Sequence, residues 1–246
     1  MFSIRLKVTL LALSLLSGCA GSGPALKDLE SVAGTILGTD GGALSSQEIA
    51  LGLREALKTG SEQVVSQLGR NDGFNADPIA HIPLPTSLAK VREVAVKLGL
   101  NSSLDSLETR LNRAAEVAAP RARDLFLGAI QQMTLQDARA ILKGPDNAAT
   151  EYFRRTTGDQ LAADMRPIVD QSLSQVGAVR AFNDLKKSYD RIPLAPKVSA
   201  DLTGHVVDGA MDGIFYYLAQ EERAIRENPL KRTSEILQRV FGAAGG

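Results

Sequence analysis

The feature that most constrains this chain is the recurrence of apolar residues at steps of three and four, punctuated by proline and glycine. Ile49, Leu53, Leu57, Gly60, Val64 and Leu68 form one such stripe. Leu104, Leu107, Leu111, Ala115, Ala118, Ala122, Leu125, Ala129 and Met133 form another. That spacing returns side chains to one face of a helix, whereas a strand needs a period of two. No run alternates apolar and polar residues long enough for a strand, and the good helix formers Ala, Leu, Arg, Gln and Glu are plentiful. The expected fold is all-α, an irregular bundle of about eight helices.

Local signals set the boundaries. Ser45 and Glu48 stand at capping-box spacing, as do Thr134 and Asp137. Residues 69–85 read as a loop. Asn71-Asp72-Gly73 is a turn signal, and Ile82-Pro83-Leu84-Pro85 is extended because residues before proline avoid the helical region. Asn71, Asp72, Asn75 and Asp77 lack the spacing of a calcium loop and read as a solvated turn. Further helices are expected over 88–98, from 103 with a kink or split at Pro120, from 134 to 144 and over 146–156. Others follow over 159–176 with a bend at Pro167, and over 179–190, 201–227 and 233–241. Gly60 lies on its helix's apolar stripe and is expected to admit another helix closely. Residues 192–196 read as a proline-bounded link.

The N-terminus carries a different signal. Arg5 and Lys7 precede the apolar residues 8–16. That run is too short to span a bilayer, which needs roughly 20 apolar residues, and has the size of a signal-peptide core. Leu16-Ser17-Gly18-Cys19 resembles the bacterial lipobox. The resemblance implies cleavage before Cys19, a diacylglyceryl thioether on its sulfur and an N-acyl group. Acyl chains contribute about 0.8 kcal/mol per buried CH₂, so several hold a protein on a bilayer. Ala20 follows the cysteine, which resembles an outer-membrane address. The expected organisation is a cleaved lipoprotein signal peptide over 1–18 and a lipid anchor and tether with a short helix over 19–44. A helical domain over 45–241 and a flexible tail over 242–246 follow.

Charge and cysteine usage exclude several function classes. The formal net charge is zero. Without Arg5 and Lys7 it becomes −2, which argues against nucleic acid and against adhesion to an acidic membrane surface. Cys19 is the only cysteine. Once acylated it leaves no thiol for disulfides, nucleophilic catalysis or metal. His81 and His205 are the only histidines, and neither lies in E-x-x-H or H-E-x-x-H. No G-x-S-x-G, Walker A loop or dinucleotide fingerprint is present. No metal or cofactor is expected. His205, Asp208 and Asp212 share a helix side and read as a solvated polar face.

One constellation stands out. At ~100° per residue, Val206, Ala210, Ile214, Tyr217, Glu221 and Ile225 fall on one side of the late helix. Glu221 then sits inside an apolar stripe, where a carboxylate must pair, protonate or face a polar cavity. Glu222, about 100° round, is expected outside it. Asn112 and Glu116 run beside the stripe of Leu111, Ala115 and Ala118. The expectation is a buried polar network of Asn112, Arg113, Glu116, Arg155 and Glu221, with Asn112, Arg113 and Arg155 as candidate partners of Glu221. The alternative is a site in which Glu116 and Glu221 face one cleft and perform acid–base hydrolysis or bind a small ligand.

Five segments carry a resemblance to one bacterial family. They are Ile82-Pro83-Leu84-Pro85, Asn112-Arg113-Ala114-Ala115-Glu116, Met133-Thr134-Leu135-Gln136-Asp137-Ala138, Ala148-Ala149-Thr150-Glu151-Tyr152-Phe153, and Asp212-Gly213-Ile214-Phe215 running on to Glu221-Glu222-Arg223-Ala224-Ile225-Arg226-Glu227-Asn228-Pro229. In this order they resemble the domain of unknown function 4197, over residues 45–241. The resemblance implies a helical periplasmic domain of Gram-negative bacteria and supplies no activity or catalytic residue. The expected function is therefore a lipid-anchored, non-enzymatic module at the periplasmic face of the outer membrane, binding an envelope protein or cell-wall component. The alternative is the hydrolase or small-ligand binder using Glu116 and Glu221.

Overall fold

Ser45 begins the fold as its sequence predicts. Its hydroxyl accepts the Glu48 N–H at 3.2 Å, and the Glu48 carboxylate accepts the Ser45 N–H at 2.9 Å. This reciprocal cap starts α1, Ser46–Gly69, which buries Leu53, Leu57, Val64 and Leu68. The computed structural model describes residues 45–89, 92, 101–191, 199–232 and 235–243, all within the unit Leu44–Gly246. The leader, the tether and its short helix, most of the 88–98 helix, the 192–196 link and most of the C-terminal tail lie outside the described residues.

A one-turn α2, Thr86–Ala89, follows the loop. The long helix α3, Asn101–Ala118, ends where Pro120 forces a 3₁₀ turn over Ala119–Arg121, and α4, Ala122–Gln132, resumes beyond it. Proline lacks the N–H that a continuous helix would need there. Thr134 and Asp137 form the second capping box and open α5, Leu135–Lys143.

The two helices expected over 146–156 and 159–176 are one, α6, Ala148–Gln175. Gly158 does not break it, because a single buried stripe of Phe153, Thr157, Leu161, Met165 and Val169 crosses that position. Packing of such a stripe outweighs the roughly 1 kcal/mol that a helical glycine costs. Gly177 then turns the chain at φ +73°, a conformation that favours glycine, into α7, Ala178–Tyr189. Asp201 caps α8, Leu202–Glu227, which Asn228 ends. A 3₁₀ turn, Pro229–Lys231, leads to α9, Glu235–Ala243.

Eight helices of nine residues or more, and no strand, are found among the described residues. The fold is the expected all-α irregular bundle. At its centre, α8 lies against α6, α1 and α3. The rings of Phe126 and Phe153 pack at 4.7 Å between centroids, and Phe126 meets Phe215 edge-on at 6.2 Å. Each such side chain, fully buried, contributes about 1.5–3 kcal/mol. Gly60 is not the closest helix approach, since a Cβ there would sit an ordinary 3.8 Å from Glu221. Gly52 is tighter. A Cβ there would come within 2.8 Å of Val240 on α9.

Candidate functional site

Among the described residues two carboxylates are buried, and both hold backbone N–H groups. Glu116, on α3, accepts from the N–H of Phe74 at 3.2 Å and of Asn75 at 3.0 Å, and pairs with Arg113 at 2.8 Å. Glu222, on α8, accepts from the N–H of Ala149 and of Thr150, both at 2.9 Å, and from the Thr150 hydroxyl. Its second partner is Arg226, one turn on, at 2.8 Å. The N-cap of α6, Asn147, makes no side-chain cap bond. Glu222 supplies that cap from another helix, where exposed N–H groups and the helix dipole both favour a negative charge.

The loop between α1 and α2 is fastened residue by residue. Gly73 closes it onto the end of α1, because a Cβ there would collide with the Leu68 and Gln67 carbonyl oxygens. Asp72 accepts from Arg113 at 2.7 Å and from Asn75 at 2.9 Å. These bonds, that of Asn75 first, hold its carboxyl below the usual range. The Asn112 side-chain amide takes the place of a neighbouring strand. It accepts the Ile82 N–H and donates to the Ile82 carbonyl, both at 2.8 Å. His81 bridges the Asn75 carbonyl at 3.0 Å and the Glu108 carboxylate at 2.9 Å. His205 meets the Pro83 carbonyl at 2.6 Å.

Helix α8 receives the loop at two glycines. A Cβ on Gly209 would lie 2.9 Å from Ile82, and one on Gly213 would lie 2.9 Å from Phe74 and 3.1 Å from Ala80. One turn further, the Tyr217 hydroxyl donates to the Asp77 carboxylate at 2.7 and 2.8 Å. Asp77 also accepts from the N–H of Ile79 and Ala80. Burial raises the Asp77 carboxyl, but bonds from Ala80, Tyr217 and Ile79 outweigh it and hold the group below its ordinary value. Burial and the Asp77 bond push the Tyr217 phenol up to about 12.

Between this loop and α8 runs a groove of about 300 Å³, open to solvent. Ile79, His81 and Pro83 stand on one side, and Asp212 and Tyr216 on the other, with Gly213 at the floor. Two large side chains in it face water: Ile79 is 55% exposed and Tyr216 42%. The Tyr216 ring stands edge-on to Tyr217 at 5.3 Å and 90°.

The structure joins some of the expected network and not the rest. Asn112, Arg113 and Glu116 come together as predicted, but what they hold is the 70–85 loop. Arg155 is exposed and lies over the Tyr152 ring at 5.7 Å. Glu221 keeps only 17% of its side chain exposed and meets Gln63 on α1 and Lys231 at 3.4 Å, not Asn112, Arg113 or Arg155. Glu222, expected outside the apolar stripe, is buried beside it at 8% exposed, which corrects the width of the buried face. α8 is surrounded, so its buried face is wider than one stripe. Phe215, Leu218, Glu222 and Ile225 step by three and four as regularly as the stripe containing Glu221. Arg226, four residues after Glu222, was the further sign. The turn read as solvated keeps Asn71 and Asp72 exposed, but Asp72, Asn75 and Asp77 are bonded to α3 and α8, and the glycines at 209 and 213, four apart on α8, were the sequence trace of that packing.

Four of the five resembling segments meet. Residues 82–85, 112–116 and 212–215 converge on the loop and groove, and residues 148–153 meet 221–229 at Glu222. A family model described as "Protein of unknown function (DUF4197)" matches residues 43–242. No curated protein and no solved structure matches the chain.

Proposed function

The chain belongs to the DUF4197 family, and we propose that it is a binding module held at a membrane by lipid on Cys19. The observation that carries this reading is the groove between the 79–83 segment and α8, with Ile79 and Tyr216 exposed on its two sides. A partner binds more tightly when the surface it meets is already ordered. Asn112, Glu116, Tyr217 and the two glycines order this one. The loop also begins where α1 ends, about 36 Å from Ser45 for a helix of that length.

The buried carboxylates support binding over hydrolysis. Glu116 is occupied by two backbone N–H groups and Arg113. Glu221 meets Gln63 and Lys231 instead, so the two do not share partners. The lipobox and Ala20 support the periplasmic face of the outer membrane as the place, and an envelope protein or cell-wall component as the partner.

Two measurements test the reading. The Cys19→Ala protein should lose labelling by a fatty-acid probe and leave the membrane fraction; unchanged labelling contradicts the anchor. An Ile79→Ser, Tyr216→Ser double variant should keep its urea midpoint and lose whatever partner the native protein crosslinks in intact cells. Retention of that partner contradicts the groove.

A further inference from the structure

We infer that the groove takes a cationic chain segment, seating a lysine or arginine side chain between the Tyr216 ring and the carboxylates of Asp212 and Asp208. The inference rests on the binding reading of the same groove. His205, Asp208, Asp212 and Tyr216 follow one another at steps of three and four, so they line one face of α8. That face runs beside the loop, because His205 meets the Pro83 carbonyl at one end and Tyr216 lies in the groove at the other.

The charge along this stripe is unbalanced. Asp208 and Asp212 are both exposed and sit one turn apart, where like charges repel. Four acids beside the loop have arginine partners. Asp72 and Glu116 hold Arg113, and Asp105 and Glu108 hold Arg92. Among the described residues, no lysine or arginine pairs with Asp208 or Asp212. The groove thus offers the Asp212 carboxylate beside an aromatic ring, with Asp208 one turn along the same helix face, the pair of features that holds a cation. Ile79 and Pro83 opposite give the alkyl stem of such a side chain an apolar surface to cover. Tyr217 fixes the Tyr216 ring edge-on, and Asp77 fixes Tyr217, so the aromatic wall is set before binding.

The probe is a fluorescein-labelled Ala-Arg-Pro-Ala-Lys-Pro-Ala peptide, with a twin carrying glutamate in place of both basic residues. Fluorescence anisotropy with the purified protein should show binding of the cationic peptide, weakening with added salt, and none of the acidic twin. An Asp208→Asn, Asp212→Asn double variant should bind at least about tenfold more weakly, a loss of about 1.4 kcal/mol. Asp184→Asn, an exposed acid on α7, should bind as the parent does. Urea midpoints check that each variant is folded. Equal binding of the two peptides, absence of binding, or a double variant that binds as the parent does overturns the inference. A partner crosslinked from position 79 that resists the double variant overturns the cationic preference and leaves the groove standing. Failure of position 79 to crosslink anything overturns the groove itself.

Discussion

The carboxylate of Glu222 accepts the backbone N–H of Thr150 at 2.9 Å, across 72 residues of chain. One side chain of α8 thereby begins α6. The same carboxylate accepts from Ala149 and holds Arg226, which also donates to the Ile141 carbonyl at the end of α5. Three helices are tied at one charge.

Glu222→Ala should therefore destabilise the protein by about 3–5 kcal/mol, the usual cost of removing one member of a buried pair. Two N–H groups of α6 lose their acceptor and Arg226 loses its counter-charge. Glu221→Ala should cost less, about 1–2 kcal/mol, because its carboxylate is bonded to Gln63 and a half-exposed Lys231 and caps no helix. Urea midpoints of the two variants, compared with the parent, decide the order. A Glu221 variant less stable than the Glu222 variant would contradict this account of α8.

Asn112→Leu should cost about 2–3 kcal/mol, because it strands both the N–H and the carbonyl of Ile82. Its distinguishing effect is local. Amide exchange over 79–85 should accelerate more than exchange in α7. Equal acceleration in both would show that Asn112 serves general stability and not the loop.

Tyr217 makes stability depend on alkaline pH. Its folded phenol titrates at about 12 against an ordinary 10.0. The neutral form is the one the fold favours, so its contribution is fully present below pH 10 and is lost as pH rises through about 12. Asp77 has the opposite sign. Its lowered value gives stability that is present above the ordinary carboxyl value of 3.8 and falls as acid protonates it. Tyr217→Phe should flatten the difference in stability between pH 10 and 12. An unchanged profile would remove the Tyr217–Asp77 bond from the account.

Two glycine substitutions should move in opposite directions. Gly213→Ala drives a Cβ against Phe74 and Ala80, an overpacking that costs about 1–3 kcal/mol. Gly128→Ala, on α4, meets nothing within 4 Å and should stabilise by about 0.5–1 kcal/mol through helix propensity. Thermal melts of the two variants read both signs.

The helices were legible because caps, apolar stripes and proline are local signals. Ser45 with Glu48 and Thr134 with Asp137 form the boxes their spacing announces, and Pro120 splits α3 from α4. The break expected between 156 and 159 is absent, because a glycine's local cost at 158 says nothing of the stripe packed across it. The site was legible in part. Asn112 and Glu116 announced burial by lying beside an apolar stripe, but their partners are backbone groups of residues 74, 75 and 82, which carry no side-chain signature. Glu222 was placed outside because a helix packed on several sides has a buried face wider than any single apolar stripe. The groove was not legible at all. It arises where two glycines on α8 let a distant loop descend, and only tertiary packing brings Ile79 across from Tyr216.

The central claim is that this groove is where a partner binds, and site-specific photocrosslinking in intact cells tests it most directly. A photoreactive residue replaces Ile79 in one strain and Val179, an equally large exposed side chain on α7, in another. The account predicts a discrete crosslinked adduct from position 79 that disappears when Tyr216 is changed to serine, and no such adduct from position 179. The same adduct from both positions, or its persistence in the Tyr216→Ser background, would contradict the claim.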